Sequence, residues 1–163
     1  MIHDKPLVIG GRTYRSRLII GTGKYPNFEI MRQAHEASGA EMVTVALGRV
    51  KLGGPEEENI LNFIDTKKYA LLPNTAGAFN VEDALRIARL ARAQGMNLIK
   101  LEVLSEAKTL LPDPFGTYEA AKKLVEEEFT VLVYTNDDPV LAKKLEDLGV
   151  AAVMPAGSPI GSG

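Results

Sequence analysis

Lys100 and Glu102 occur in the apolar run Asn97-Leu-Ile-Lys-Leu-Glu-Val-Leu104. Successive side chains of a strand point to opposite faces, so residues two apart share a face. The run therefore puts Ile99, Leu101 and Val103 on one face and Leu98, Lys100 and Glu102 on the other. With both faces covered, an amine and a carboxylate stand together where charges are rarely found. A neutral amine attacks a carbonyl to form an imine, and a neighbouring carboxylate can then move protons at the adjacent carbon. A free lysine holds its proton up to a pKa of about 10.4. Burial favours the neutral amine, whereas a nearby carboxylate favours the ammonium, so the two influences oppose each other. The residues alone leave two readings open. One is Schiff-base catalysis on a phosphorylated carbonyl compound, class I aldolase chemistry included. The other is a non-catalytic domain with a structural Lys–Glu pair.

Positioning such a pair takes a buried strand with helices on either side of it in the chain. Short β-rich runs alternate with amphipathic stretches, and the expected strands are Arg17–Ile20, Met42–Ala46, Ala70–Leu72, Leu98–Val103, Thr130–Tyr134 and Ala151–Met154. Most are continuous apolar runs, as buried parallel strands are. Helices are predicted over Asn27 to Ser38, closed by Gly39, from an Asn80 cap to Gly95, over Thr117 to Glu127, and from Asp138-Pro139 to Gly149. Asn and Asp at the start, proline at the first helical position and glycine just past the end are the usual boundary residues. A further helix is expected at Glu56–Phe63, and Leu7 to Tyr14 reads as a hairpin around Gly10-Gly11. Strands recur every 25 to 30 residues or so, the length of one unit of a βα barrel. The fold class is therefore α/β, with about six βα units of a (βα)8 TIM barrel after a short N-terminal hairpin. An open doubly wound sheet is the competing arrangement.

Composition removes several function classes. The chain has 163 residues, a formal net charge of −2, 45% hydrophobic and 25% charged residues, as expected of one globular domain over 1–163. Lys and Arg are scattered and slightly outnumbered by Asp and Glu, which disfavours nucleic acid as a partner. No apolar run has membrane-spanning length and no signal peptide opens the sequence, so no membrane association is expected and the cytoplasm is the expected compartment. Cysteine is absent, which excludes disulfides and thiolate chemistry. His3 and His35 are the two imidazoles, too few for a histidine-rich metal site.

In either fold, ligands sit at the C-terminal ends of the parallel strands. The loops there are Gly21-Thr-Gly-Lys-Tyr25, Pro73-Asn-Thr-Ala-Gly77, Tyr134-Thr-Asn-Asp-Asp138 and Pro155-Ala-Gly-Ser-Pro-Ile-Gly-Ser-Gly163. Gly21 and Gly23 lack the third glycine of a dinucleotide fingerprint and read as turn residues. The last loop combines three glycines and two serines with little bulk, a composition suited to a phosphate or other small anion. Asn136, Asp137 and Asp138 have the chemistry of metal ligands, but a helix cap beside Pro139 explains them better. Glu56, Glu57 and Glu58 read as a solvated helix start.

Five segments carry a family resemblance: Ser16 to Tyr25, Leu71 to Ala78, Ile99-Lys-Leu-Glu-Val103, Leu110-Leu-Pro-Asp-Pro114 and Ser158-Pro-Ile-Gly-Ser-Gly163. In order and spacing they resemble thiazole synthase of bacterial thiamine biosynthesis, across essentially the whole chain. The resemblance implies a (βα)8 barrel that condenses 1-deoxy-D-xylulose 5-phosphate, dehydroglycine and sulfur into thiazole phosphate. The sulfur comes as the thiocarboxylate of a small sulfur-carrier protein, and no metal or other cofactor is implied. It further implies that Lys100 forms the imine, that Glu102 is the acid/base, that the Gly161 backbone binds the substrate, and that the protein is a homo-oligomer, a tetramer. Gly48-Arg49 departs from the paired arginines usual in the family. The family also continues through two further βα units, so the 163-residue chain alone is expected to be inactive or nearly so.

Overall fold

A computed structural model describes residues 5–47 and 59–162. The chain falls into two compact units, Met1–Leu72 and Pro73–Gly163.

The first unit opens with a hairpin of β1 (Leu7–Ile9) and β2 (Arg12–Tyr14), paired Leu7 with Tyr14 around Gly10 and Gly11. Both glycines take positive φ, 55° and 77°, which a side chain would resist. Strand β3 (Ile19–Ile20) runs parallel to β4 (Met42–Ala46), and helix α1 (Phe28–Ser38) connects them. Strand β3 is shorter than the predicted Arg17–Ile20 because the Leu18 N–H is taken by the Ser16 hydroxyl, a local turn in place of a ladder bond. Asn27 caps α1 and Gly39 ends it at φ 65°, both where expected. Of the predicted helix Glu56–Phe63, Ile60–Phe63 forms a single 3₁₀ turn capped by Asn59, and Glu56 to Glu58 lie outside the described residues. The core of this unit gathers Met31, Val43, Val45, Ile64 and Tyr69.

Strand β5 (Ala70–Asn74) begins beside Glu41, whose carbonyl accepts from the Ala70 N–H. The second unit then runs α2 (Val81–Ala93), β6 (Leu98–Leu101), α3 (Pro114–Glu126), β7 (Thr130–Thr135), α4 (Pro139–Asp147) and β8 (Ala152–Pro155). Strands β5, β6, β7 and β8 are parallel neighbours in that order. In both units the strand order rises one at a time with no reversal, the winding of a βα barrel and not of a doubly wound sheet, whose order reverses at a switch point. Helix α3 starts three residues before the predicted Thr117, because Asp113 accepts from the N–H groups of Phe115 and Gly116. Gly116 lets that first turn approach closely: a Cβ there would stand 3.0 Å from both Val103 Cγ1 and Asp113 Oδ2. Ile99, Leu101, Val103, Val131 and Val133 are fully buried, together with Ala120, Ala121 and Leu124 of α3. Burying Val, Leu and Ile side chains contributes about 1.5–3 kcal/mol each, so this layer anchors β6 and β7 against α3.

Among the described residues, no helix is long and apolar enough to cross a membrane.

Candidate active site

Strand β6 puts Lys100 between Asn74 of β5 and Leu132 of β7. The Lys100 ammonium Nζ stands 3.2 Å from Glu102 Oε1. Their side chains are 22% and 7% exposed, so the amine is reachable from solvent while the carboxylate is enclosed. The alternation read from the sequence is present: Ile99, Leu101 and Val103 turn to the helix side, where Val103 meets Gly116, and the charged pair turns the other way.

The strand itself stops at Leu101, two residues before the predicted end at Val103. The reason lies in what Glu102 bonds to. Its backbone N–H donates to the Thr75 hydroxyl at 2.8 Å, and that hydroxyl donates to the Glu102 carbonyl at 2.7 Å. The Thr75 N–H donates to the Lys100 carbonyl at 3.1 Å. Beyond this point Leu104 donates to the Ala78 carbonyl, and the Val103 carbonyl accepts from Asp113. At Glu102 a side chain has replaced the backbone ladder.

Tyr134 follows Leu132 by two on β7 and so shares the face of Lys100. The centre of its ring is 5.8 Å from Lys100 Nζ, within cation–π range. Its hydroxyl donates to the Leu110 carbonyl at 3.2 Å, and Leu110 holds a left-handed φ of 56° that a leucine rarely adopts. Burial, and then the negative charge of Glu102, push the Tyr134 hydroxyl above its ordinary pKa of 10.0, so it stays a neutral donor at neutral pH.

Gly161 takes φ 81° in the exposed turn that follows β8, where the Ser162 N–H and hydroxyl both donate to the Pro159 carbonyl. Asp138 is a helix cap, accepting from the Val140 N–H at 2.8 Å, as its position beside Pro139 predicts. No group of three or more metal-capable side chains occurs among the described residues. Gly48-Arg49 lies outside them. Thr75 lies in the strand-end loop Pro73-Asn-Thr-Ala-Gly77, and that place, next to the strand carrying the pair, is its one visible signal in the sequence.

Comparison with known proteins identifies the family. The model of the family described as thiazole biosynthesis protein ThiG matches residues 8–163. Thiazole synthase of Maricaulis maris (strain MCS10) is 58% identical over 161 residues, covering 98% of this chain and 60% of its own length. Thiazole synthase of Aquifex aeolicus (strain VF5) is 55% identical over 164 residues, covering 100% of this chain and 61% of its own. The chain thus spans about three fifths of the length of the curated relatives it matches. Among solved structures, the Amycolatopsis orientalis BexX/CysO complex is similar with a TM-score of 0.77 and 29% identity, covering 92% of this chain and 62% of that one. A mandelate racemase/muconate lactonizing enzyme from Roseiflexus sp., at 16% identity and a TM-score of 0.50, covers 83% of this chain and 38% of its own and shows the fold alone. A match over nearly every residue, joined to the sequential parallel strands, places the chain in the thiazole synthase family.

Proposed function

We propose that the protein acts as a thiazole synthase, condensing 1-deoxy-D-xylulose 5-phosphate, dehydroglycine and sulfur from a sulfur-carrier protein thiocarboxylate into thiazole phosphate for thiamine diphosphate. The observation that carries this reading is the Lys100–Glu102 pair at 3.2 Å, its amine partly open to solvent, in a chain of that family.

Lys100 attacks the ketone carbon of the sugar phosphate, and loss of water leaves the imine. The ammonium must first shed a proton, and the Glu102 carboxylate is near enough to accept it. The imine nitrogen then draws electrons from the neighbouring carbon, and Glu102 takes and returns protons there. Gly161, with its backbone in an open turn, contributes to holding the substrate. The proposed steps need no metal or cofactor. Protein partners fit the scheme, since one similar structure is itself a complex of BexX with CysO. The reading extends to one domain that is part of a βα barrel, a cytoplasmic protein, and a homo-oligomer, a tetramer as in the family.

Borohydride reduction in the presence of deoxyxylulose phosphate tests the central step. Peptide mass mapping is expected to find the reduced sugar adduct on Lys100, and Lys100→Met is expected to lose it. With the whole protein that carries this chain, a wild-type sample that gives no adduct overturns the reading. A Lys100→Met protein of full activity and equal or greater stability would assign the pair a structural role instead.

A further inference from the structure

We infer that Thr75 is the positioning residue for Glu102: its buried hydroxyl takes over from the strand ladder where β6 stops, and so fixes the carboxylate against Lys100. The inference rests on the acid/base role proposed for Glu102.

Three observations support it. Thr75 is fully buried, and its hydroxyl both accepts from the Glu102 N–H and donates to the Glu102 carbonyl. Both polar groups of one backbone residue are therefore satisfied by a single side-chain oxygen across 27 residues of sequence. Second, the neighbouring contact, from the Thr75 N–H to the Lys100 carbonyl, is made by backbone. A change of the Thr75 side chain thus acts on Glu102 and leaves the tether of Lys100 in place. Third, the loop is closed again three residues on, where Ala78 donates to the Thr75 carbonyl and accepts from Leu104. Glu102 is held between two fixed points, and the β-branched side chain of threonine restricts the rotamer that delivers the hydroxyl.

Valine keeps the shape of threonine and removes the hydroxyl, leaving a buried N–H and a buried carbonyl unpaired. Serine keeps the hydroxyl. The experiment compares Thr75→Val and Thr75→Ser with wild type by three readings: borohydride trapping at Lys100, incorporation of solvent deuterium next to the imine carbon, and amide hydrogen exchange at Glu102. In Thr75→Val, trapping carried to completion is expected to persist, because solvent also reaches the Lys100 amine and can take its proton, while deuterium incorporation slows by about 10²-fold, the order expected when a reacting group is misplaced by an ångström. The Glu102 amide is expected to exchange faster in Thr75→Val, and Thr75→Ser to stay near wild type in all three readings. Wild-type deuterium incorporation in Thr75→Val overturns the inference, and so does a Thr75→Ser protein as slow as Thr75→Val. Should the valine variant not fold, Thr75→Ala gives the same comparison with room for water to reach Glu102. A wild-type protein that forms no imine overturns the proposed function. The Glu102 amide still tests the present inference in that case, because unchanged protection in Thr75→Val overturns it.

Discussion

Each unit braces a strand end with a buried polar side chain, and the two braces do different work. In the first unit His35, 1% exposed on α1, holds the Gly21 carbonyl just past β3 through Nε2 at 3.0 Å. Its ring sits edge-on between Tyr25 and Tyr69, so a bulky aromatic cluster surrounds the bond. In the second unit Thr75 holds Glu102 just past β6, with no aromatic ring and with both backbone groups engaged by one oxygen. The first brace fixes a loop through bulk, and the second fixes a charge through precise valence. Losing the first should therefore cost stability, whereas losing the second should cost chemistry.

Replacing His35 by Leu tests the bulk side of that contrast. It strands a buried carbonyl and is expected to destabilise the fold by roughly 2–3 kcal/mol, seen in chemical denaturation. Borohydride labelling of Lys100 in the folded fraction should be unchanged; a lost label would erase the distinction between the braces. Gly116→Ala acts from the helix side of the pair. Its Cβ meets Val103 and Asp113 at 3.0 Å, so a cost of about 1–3 kcal/mol is expected from overpacking, with increased amide exchange at Val103 and Glu102. A melting temperature equal to wild type would mean the α3 cap gives way instead.

Tyr134→Phe keeps the ring over Lys100 and removes the bond to Leu110. An expected loss of about 0.5–1.5 kcal/mol should be accompanied by faster proteolysis within residues 105–112, with the trapping rate at Lys100 retained. The smallest effect concerns charge. Glu41 accepts from the N–H groups of Arg15 and Ser16 and from the Arg15 side chain, which hold its carboxyl below the ordinary 4.5. Because the folded value is the lower one, this contribution is present above the unfolded carboxylate pKa and fades as pH falls through the folded one. Melting curves of Glu41→Gln should show a shallower acid limb than wild type. In the second unit Glu127, held low by Arg89, should behave alike, so Glu127→Gln gives the matched measurement.

The sequence made the elements legible wherever a local rule decides them. Met42–Ala46 is a continuous apolar run and is a strand over those same residues. Asn27, Asn80 and Asp138 cap helices because their short side chains reach the N–H groups two or three residues on. Lys100 and Glu102 were found because a period of two needs no knowledge of the neighbours. The start of α3 was missed although Asp113-Pro114 repeats the Asp-Pro boundary of α4, because Gly116 reads as a turn residue until Val103 is known to press against it. Thr75 was missed for a deeper reason. Its partner Glu102 lies 27 residues away in the chain, and no local pattern encodes such a pairing. Tyr134 stood out as an aromatic at a strand end that reads as packing, but its bond to Leu110, 24 residues away, was equally hidden.

The rising strand order of the second unit has a consequence for how the molecule is made. A strand that pairs with the one before it finds its neighbour already synthesised. At ribosomal rates of about 5–20 residues per second, each new βα unit has a second or more to dock before the next one emerges. The Asn and Asp caps start each helix from its own residues, without help from later chain. Glu102 can be seated by Thr75 as soon as the end of β6 leaves the exit tunnel, so assembly of the charge pair can follow the direction of translation.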